Sequence, residues 1–318
     1  MTRAVDPLII LCLISVVTSY SCHDVCHERR TFLQTLLIMG LPPSNAIPSN
    51  AIEDASYLPP LSANGNFDCL LDLPPITPSC VRLYLCRHGQ TEFNRLHKVQ
   101  GARIDPPINE NGREQAKRLG LAVSKLITDR DTFPHCAVHS TLCRARETAE
   151  VVTATALSHF KDDSPIKVYG LASLKEVDFG SLEGMTDSDN TFRMAMTKTY
   201  ANWSIGNIDS RTGDGGESGR EVLQRAVKSL DELAKLAVSS SSSSILAVSH
   251  STYLRILLSM VSDKPLAESA LWKIENGSVN IVDVNVEHKR QMFTSIDMPQ
   301  AHLIRLNEVR HLQGITLS

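Results

Sequence analysis

The sequence predicts an α/β fold, a largely parallel sheet with helices on both faces. Two observations predict it. From Val81 onward, short apolar runs rich in β-branched residues alternate with longer runs whose apolar residues recur at helical spacing, the pattern of successive strand–helix units. In addition, the side chains best suited to chemistry fall directly after the strand-like runs, and open α/β sheets bind ligands at the carboxyl ends of their strands.

The first strand is read at Val81–Cys86, which ends at Arg87-His88-Gly89. Asn109 can cap a helix starting near Glu110, because its side chain can accept from the first free backbone N–H groups. Ala116, Leu119, Val123, Leu126 and Ile127 then mark that helix's apolar face. Cys136–His139 is a second short strand. Cys143–Leu157 is a helix through Ala145, Ala149, Val152 and Ala156, and Ile166–Tyr169 is a third strand. Glu217–Val238 is a longer helix with Val222, Leu223, Ala226, Leu230, Leu233 and Leu236 on one side. The serine run Ser239–Ser244 reads as a flexible surface loop. Ile245–Ser249 is a strand and Tyr253–Met260 a helix, and Ser278–Val286 with Gln291–Ile296 reads as a closing β pair. No internal repeat is visible.

The first eighty residues have a different character. Leu8–Val17 is a short apolar run after a single early arginine, Arg3, and small and polar residues follow it (Thr18, Ser19, Ser21). That is the layout of a secretory signal peptide over residues 1–21. The run is about half of the ~20 residues that a membrane-crossing helix needs, so no stable membrane span is expected once the leader is removed. Arg29-Arg30, the apolar stretch Phe32–Leu41 and the small-residue ends at Ala46 and Ala51 resemble a twin-arginine signal. Two tandem signals would match the multipart leaders that direct proteins to a plastid thylakoid lumen. The expected route is therefore secretory entry, with a bipartite plastid leader as its extension. Cys22-His23 and Cys26-His27 have loose spacing and no second pair nearby, so they are read as leader rather than as a metal site. Residues 22–80, rich in Pro, Ser, Asn and Ala from Pro42 to Pro78, read as leader and linker with little structure, and residues 81–318 as the catalytic domain.

The chain has 318 residues, 42% hydrophobic and 21% charged, with a net charge of −3. This is the composition of an ordinary globular protein. It argues against a general nucleic-acid binder, which would show a strongly basic face, and leaves an anionic substrate open. The 8 cysteines form no regular framework and are read mostly as buried thiols. A disulfide among Cys69, Cys80 and the core stays open for an exported chain.

Four groups at the predicted strand ends carry the chemistry. They are Arg87-His88-Gly89-Gln90-Thr91-Glu92-Phe93-Asn94, Ser140 to Thr148 with Arg144, Leu174 to Gly184 with Glu176, and Ser249-His250-Ser251. A transferred phosphoryl group spreads charge over three oxygens, so the protein mainly supplies position and cationic hydrogen bonds. Arg87 and Arg144 offer planar forks for those oxygens. A neutral imidazole such as His88 can attack phosphorus, and His250 can donate to oxygens as charge builds. Glu176 is placed to give the leaving alcohol its proton and then to activate water. Taken singly, each residue has a structural reading; their joint order at strand ends favours catalysis.

This set resembles the histidine phosphatase superfamily, in the branch of cofactor-dependent phosphoglycerate mutases and small-molecule phosphatases. The resemblance runs from about Val81 to Leu312. It rests on Arg87-His88-Gly89-Gln90-Thr91 with Asn94, on Gln100-Gly101, on Asp105-Pro106-Pro107 and on Gly112-Arg113-Glu114-Gln115-Ala116. It rests further on Ser140 with Arg144-Ala145 and Thr148, on Glu176 with Phe179-Gly180 and Glu183-Gly184, on Gly215-Gly216-Glu217-Ser218, on Ser249-His250, and on Asn307-Glu308-Val309-Arg310-His311-Leu312. The resemblance implies a three-layer α/β/α sandwich of phosphoglycerate mutase-like form. It implies His88 as the phosphorylated nucleophile and Glu176 as proton donor. It places Arg87, Arg144 and His250 around the phosphate with Thr91, Asn94, Gln100, Gly101 and Ser251 near it, and requires neither metal nor other cofactor.

Some positions depart from that pattern. Ser251 stands where many relatives carry glycine. Val177-Asp178 follow Glu176 where mutases carry a basic residue. No adjacent arginine pair lies between Gly184 and Gly215, where Arg193 stands alone in the sequence. These departures favour hydrolysis, so the expected function is a phosphomonoester phosphatase for a small phosphorylated metabolite, whose specificity is expected from the loops around Met185–Asp214. A phosphoglycerate mutase is the alternative, and an inactive phosphate-binding module the second. The latter is disfavoured because His88 and Glu176 are both present. The sequons Asn202-Trp203-Ser204 and Asn276-Gly277-Ser278 are read as unmodified polar turns.

Overall fold

A computed structural model describes residues 65–126, 132–158, 166–291 and 297–317. The segment expected to be a signal peptide, the paired-arginine segment and the Cys22 and Cys26 pairs lie outside the described residues, as does Ile127.

Strand β1 (Cys80–Arg87) lies between two partners of opposite sense. It pairs in parallel with β4 (Ser244–Ser249) and antiparallel with β5 (Val279–Gln291). Strand β2 (Cys136–Ser140) lies parallel to both β4 and β3 (Lys167–Leu171), while β6 (Asp297–Glu308) runs antiparallel along β5. The sheet order is β3-β2-β4-β1-β5-β6, so the four strands that carry the predicted site groups are the parallel ones.

Alternation along the strands divides the core in two. Leu83 and Leu85 of β1, Ile245 and Ala247 of β4, and Val138 of β2 join one apolar cluster. Their neighbours Tyr84, Cys86, Leu246, Val248 and Ala137 join the other. A period of two puts successive side chains on opposite faces, and here both faces are covered. Helices α2 (Glu110–Lys125) and α3 (Cys143–Ser158) cover the second cluster. They approach closely at Gly120, where a Cβ would lie 2.6 Å from Thr155. Helices α5 (Gly219–Ser239) and α6 (Ser251–Val261) cover the first. The result is the three-layer α/β/α sandwich. The one-turn helix α1 (Glu92–Arg95) follows β1, and α4 (Asn190–Ser204) precedes α5.

Caps set the helix starts. Asn109 accepts from the Gly112 N–H at 2.9 Å, as the sequence predicts. Ser218 and Glu221 form a reciprocal capping box, so the long helix begins at Gly219 rather than at Glu217.

Four expectations need correction. The closing pair is β5 and β6: Gln291 ends β5, residues 292–296 lie outside the described residues, and the second strand is Asp297–Glu308. Strand β6 is an edge, where Pro299 opposite Lys289 is tolerated and a continuous apolar run is not needed. Part of Met185–Asp214 is helix α4, capped by Asp189, with only Met196, Thr199 and Trp203 buried. The serine run is not a free loop. Ser239 ends α5, Ser242 donates to the Ser244 carbonyl at 2.7 Å, and Ser244 donates to the Thr132 carbonyl at 2.8 Å. The end of the linker belongs to the folded unit, since Cys69 and Leu70 are 0% and 2% exposed. Arg305 and Arg310 grip Asp72 and the Cys69 carbonyl there.

Cys69, Cys80, Cys86, Cys136 and Cys143 are free thiols, so none of these described cysteines forms the disulfide left open by the sequence. Among the described residues, no helix is long and apolar enough to cross a membrane.

Candidate active site

Strand register builds the centre of the site. Parallel pairing puts Arg87 beside Ser249, so the next residues of both strands, His88 and His250, emerge side by side. The His88 N–H donates to the Ser249 carbonyl at 3.0 Å, and the two imidazoles stand 5.1 Å apart, tilted by 56°. His88 is 2% exposed and its Nδ1 lies 2.7 Å from the Gly89 carbonyl. A carbonyl only accepts, so Nδ1 carries the proton and Nε2 keeps its lone pair. Burial, reinforced by Arg144 and Arg87, holds the His88 imidazole well below its ordinary titration range. Burial, reinforced by Arg144, His88, Arg225 and Arg87, does so for His250, and both rings are neutral at pH 7. Neither ring nitrogen of His250 has a partner among the described residues.

Two arginines converge on this pair. Arg87 donates through Nη1 to the Ile274 carbonyl at 2.6 Å. Arg144, in the first turn of α3, donates to the carbonyls of Gly101 at 2.7 Å and Ile104 at 3.1 Å and to Asp105 at 3.2 Å. The Nε atom of each arginine is buried and unpartnered. Burial pushes Arg87 down to about 10 and lowers Arg144, with Glu176 the largest opposing influence on each; Arg87 therefore stays charged at neutral pH, and so does Arg144, since guanidinium groups give up their proton only far above it.

Glu176 lies on irregular chain beyond the 3-10 turn Ala172–Leu174 and is 8% exposed. Its Oε1 accepts from the N–H groups of Val177 and Tyr253, at 2.9 and 2.8 Å, and its Oε2 from that of Thr252 at 3.2 Å. The carboxyl is thereby fixed at the N-terminus of α6, whose N-cap is His250.

The loop that holds Arg144 is itself held by one carboxylate. Glu183 accepts from the N–H groups of Ala102, Arg103, Ile104 and Phe179. Gly101 has a φ of +61°, and a Cβ there would lie 2.0 Å from Glu183 Oε1; only glycine fits.

Beside these groups opens a pocket of about 320 Å³, lined in part by Arg87, Asn94, Ser251, Lys98, Arg255 and Trp272. His88, Arg144, Glu176 and His250 are not in that lining; the pocket meets them through Arg87, Asn94 and Ser251. Arg255 donates to the Thr252 hydroxyl at 3.0 Å, its Nε is buried without a partner, and it forms no ion pair among the described residues. Unpartnered buried donors on cations are costly unless an anion satisfies them, so the arrangement suits a phosphate and a further negative group.

Residues 83–295 match the histidine phosphatase superfamily (branch 1). The chain belongs to that superfamily. A Citrobacter koseri protein named "Probable phosphoglycerate mutase GpmB" is 29% identical over 208 residues, which cover 64% of this chain and 85% of that one. The "Metal-independent phosphoserine phosphatase" of Arabidopsis thaliana is 26% identical, over 63% of this chain and 75% of its own. Among solved structures, Bacillus stearothermophilus YhfR shares 28% identity at a TM-score of 0.51, covering 65% of this chain and 92% of that one. The Entamoeba histolytica phosphoserine phosphatase bound to 3-phosphoglyceric acid shares the fold at a TM-score of 0.53 and 22% identity, over 73% and 99% of the two chains. This member of the histidine phosphatase superfamily is an enzyme of phosphoryl transfer, phosphatase or mutase in kind.

The fold brings His88, Arg87, Arg144, Glu176 and His250 together, and Asn94 and Ser251 reach the pocket. Thr91, Gln100 and Gly101 stand behind them. Thr91 is fully buried as the N-cap of α1, its hydroxyl between Asn94 Oδ1 at 3.1 Å and Gln100 Oε1 at 3.0 Å, and the Gly101 carbonyl holds Arg144. Two residues escape the sequence reading. Asn276 lies in a turn before β5, as the sequence predicts, but is fully buried there and donates to the His88 carbonyl at 3.0 Å and to Asn94 at 3.2 Å. Arg255 sits one turn beyond Ser251 on α6, a spacing that puts both on one helix face and was the available signal. The other sequon residue, Asn202, lies within α4 and donates to Ser210.

Proposed function

We propose that this enzyme is a phosphomonoester phosphatase for a small phosphorylated metabolite, working through a phosphohistidine on His88. One observation carries the reading: His88 is a buried neutral imidazole whose Nδ1–H is tied to the Gly89 carbonyl, so that its free lone pair on Nε2 lies among Arg87, Arg144 and His250. In the first step Nε2 attacks phosphorus and the ester P–O bond breaks, while Glu176 gives its proton to the departing alcohol oxygen. Arg87, Arg144 and His250 donate to the phosphoryl oxygens as charge builds on them. In the second step water attacks the phosphohistidine, Glu176 takes back a proton, and the P–N bond breaks to release inorganic phosphate and restore the lone pair.

The pocket of about 320 Å³ suits a small ester, and Arg255, whose Nε is buried without a partner and which forms no ion pair among the described residues, favours one with a second anionic group. Val177-Asp178 after Glu176 and the lack of an adjacent arginine pair around Arg193 in α4 favour water over a second sugar acid as acceptor. The mutase reading is favoured by the names of several relatives. Assay of both activities separates the two; mutase turnover above hydrolysis would reject the phosphatase. His88→Ala is expected to abolish turnover together with an acid-labile, base-stable phosphoprotein, and normal turnover in that variant would overturn the mechanism.

A further inference from the structure

Glu176 sits on backbone that neither the sheet nor a helix supports. Residues 175–179 have no regular structure, so no helix or strand ladder holds the backbone that carries this carboxyl. A single guanidinium does much of that work. Arg225, on α5, donates from Nη1 to the carbonyls of Ser173 at 3.1 Å and Lys175 at 2.6 Å, and from Nη2 to that of Glu176 at 3.4 Å. Its remaining donors, Nε and the second Nη2 hydrogen, form a bidentate pair with Glu217 at 3.0 and 2.8 Å. All five N–H groups of the side chain are thereby used, which only arginine can supply.

Glu217 completes the grip from the other end. Its Oε2 accepts from the Asp178 N–H at 2.9 Å, and its own N–H donates to the Asp178 carbonyl at 2.8 Å. The ion pair thus brackets the residues from Ser173 to Asp178, with Glu176 inside the bracket. The same guanidinium lies 4.6 Å from the centre of the Tyr253 ring. Tyr253 is the residue whose N–H binds Glu176 Oε1, and its hydroxyl is tied at 2.5 Å to Ser229, one turn beyond Arg225 on α5. Arg225 therefore touches both the backbone that carries Glu176 and the residue that receives its carboxyl.

We propose that Arg225, paired with Glu217, is the positioning residue of the proton donor: it sets where the Glu176 carboxyl stands relative to His88 without touching the substrate. This rests on the reading of Glu176 as the proton donor, and it goes beyond that reading by naming what aims it. A misplacement of about 1 Å at such a group can cost on the order of 10²-fold in rate.

The test uses the full chain and two esters, an alkyl phosphate whose alkoxide must be protonated to leave and a dinitrophenyl phosphate whose phenolate leaves without help. Because kcat/KM reports the first chemical step, it isolates the acid role. R225M is expected to lose about 10²-fold or more on the alkyl ester and less than about tenfold on the dinitrophenyl ester, within the range of general acid catalysis. R225K, with three donors for five acceptors, should fall between R225M and the native chain. Equal losses on both esters would make Arg225 a purely structural staple and refute the proposal. E176Q is the reference. If it too loses equally on both esters, the proton-donor reading itself falls; if it shows the ester-dependent loss and R225M does not, only the positioning proposal falls. Should R225M not fold, R225K and E217Q decide by the same comparison.

Discussion

Three buried imidazoles make the stability of this fold depend on pH in a direction that can be worked out. His88, His250 and His311 are 2%, 0% and 0% exposed, and burial is the largest cause that lowers the titration of each. For His311 the drop is from 6.5 to about 4. Its Nε2 donates to the Gly277 carbonyl at 2.9 Å, which fixes the neutral tautomer. A depressed folded value for a base means that the unfolded chain takes up the proton first. The stabilisation is therefore fully present above the unfolded value and is lost as pH falls from there toward the folded one. At 1.36 kcal/mol per unit, the full term for His311 is about 3.4 kcal/mol, and about 2 kcal/mol of it is lost by about pH 5. The other two imidazoles are lowered well below 6.5 by the same burial, so their contribution is lost in the same direction as pH falls and adds to that of His311. The paired carboxylates Asp72 and Glu308 are lowered from 3.8 and 4.5, and their contribution is lost only below this window. Denaturant unfolding across that range is the assay, with His311→Gln as the comparison. Glutamine can still donate to Gly277 but takes up no proton, so the loss should shrink by the His311 share, about 2 kcal/mol. A native chain of constant stability from about pH 7.5 to 5, or an equal loss in the variant, would refute the reasoning.

Two further outcomes follow from charges in opposite settings. Arg82 and Asp283 face one another across β1 and β5, joined by two hydrogen bonds of 2.8 Å, with side chains only 1% and 6% exposed. Asp283→Ala leaves a guanidinium buried without its counter-charge and should cost about 3–5 kcal/mol in thermal or denaturant unfolding; a change below about 1 kcal/mol would contradict the assignment. Arg255→Met removes from the pocket a cation that forms no ion pair among the described residues, although Asp187 and Glu275 line the same pocket. It should raise KM by about 10- to 100-fold for a phosphoester carrying a second anionic group, with little change for an uncharged aryl phosphate; equal changes for both would remove Arg255 from substrate recognition.

Much of the fold is legible in the sequence because its strands are buried on both faces. Val81–Cys86 and Ile245–Ser249 are short, nearly unbroken apolar runs of the kind that central parallel strands need, and both become strands. Helices α2 and α5 bury broad, regular faces, so their periodicity is strong. Helix α4 buries only Met196, Thr199 and Trp203 among fifteen residues, so its sequence carries a weak helical signal, and its cap, Asp189, has no apolar periodicity behind it to give it meaning. Strand β6 is an edge with exposed His302 and Leu306 and shows neither a buried run nor clean alternation. Ser242 and Ser244 look like loop residues because their partners, a neighbouring carbonyl and that of Thr132, are set by packing alone.

For the site, the sequence by itself determined the chemical parts and their places along the chain: an arginine–histidine pair after the first strand, a second arginine opening the helix after the second, a carboxyl after the third, and a second histidine after the fourth. That suffices because parallel strands deliver their following residues to one edge of the sheet, whatever the details of packing. Only the tertiary structure decided how those parts are tuned and aimed. The tautomer of His88 depends on the direction of the Gly89 carbonyl. The neutrality of both imidazoles depends on burial beside Arg87 and Arg144. The place of Glu176 depends on Tyr253 and on Arg225, which are 77 and 49 residues away in the chain. Hydrogen bonds between groups so far apart in sequence leave no local spacing to read, and they exist only once the layers have closed around the sheet.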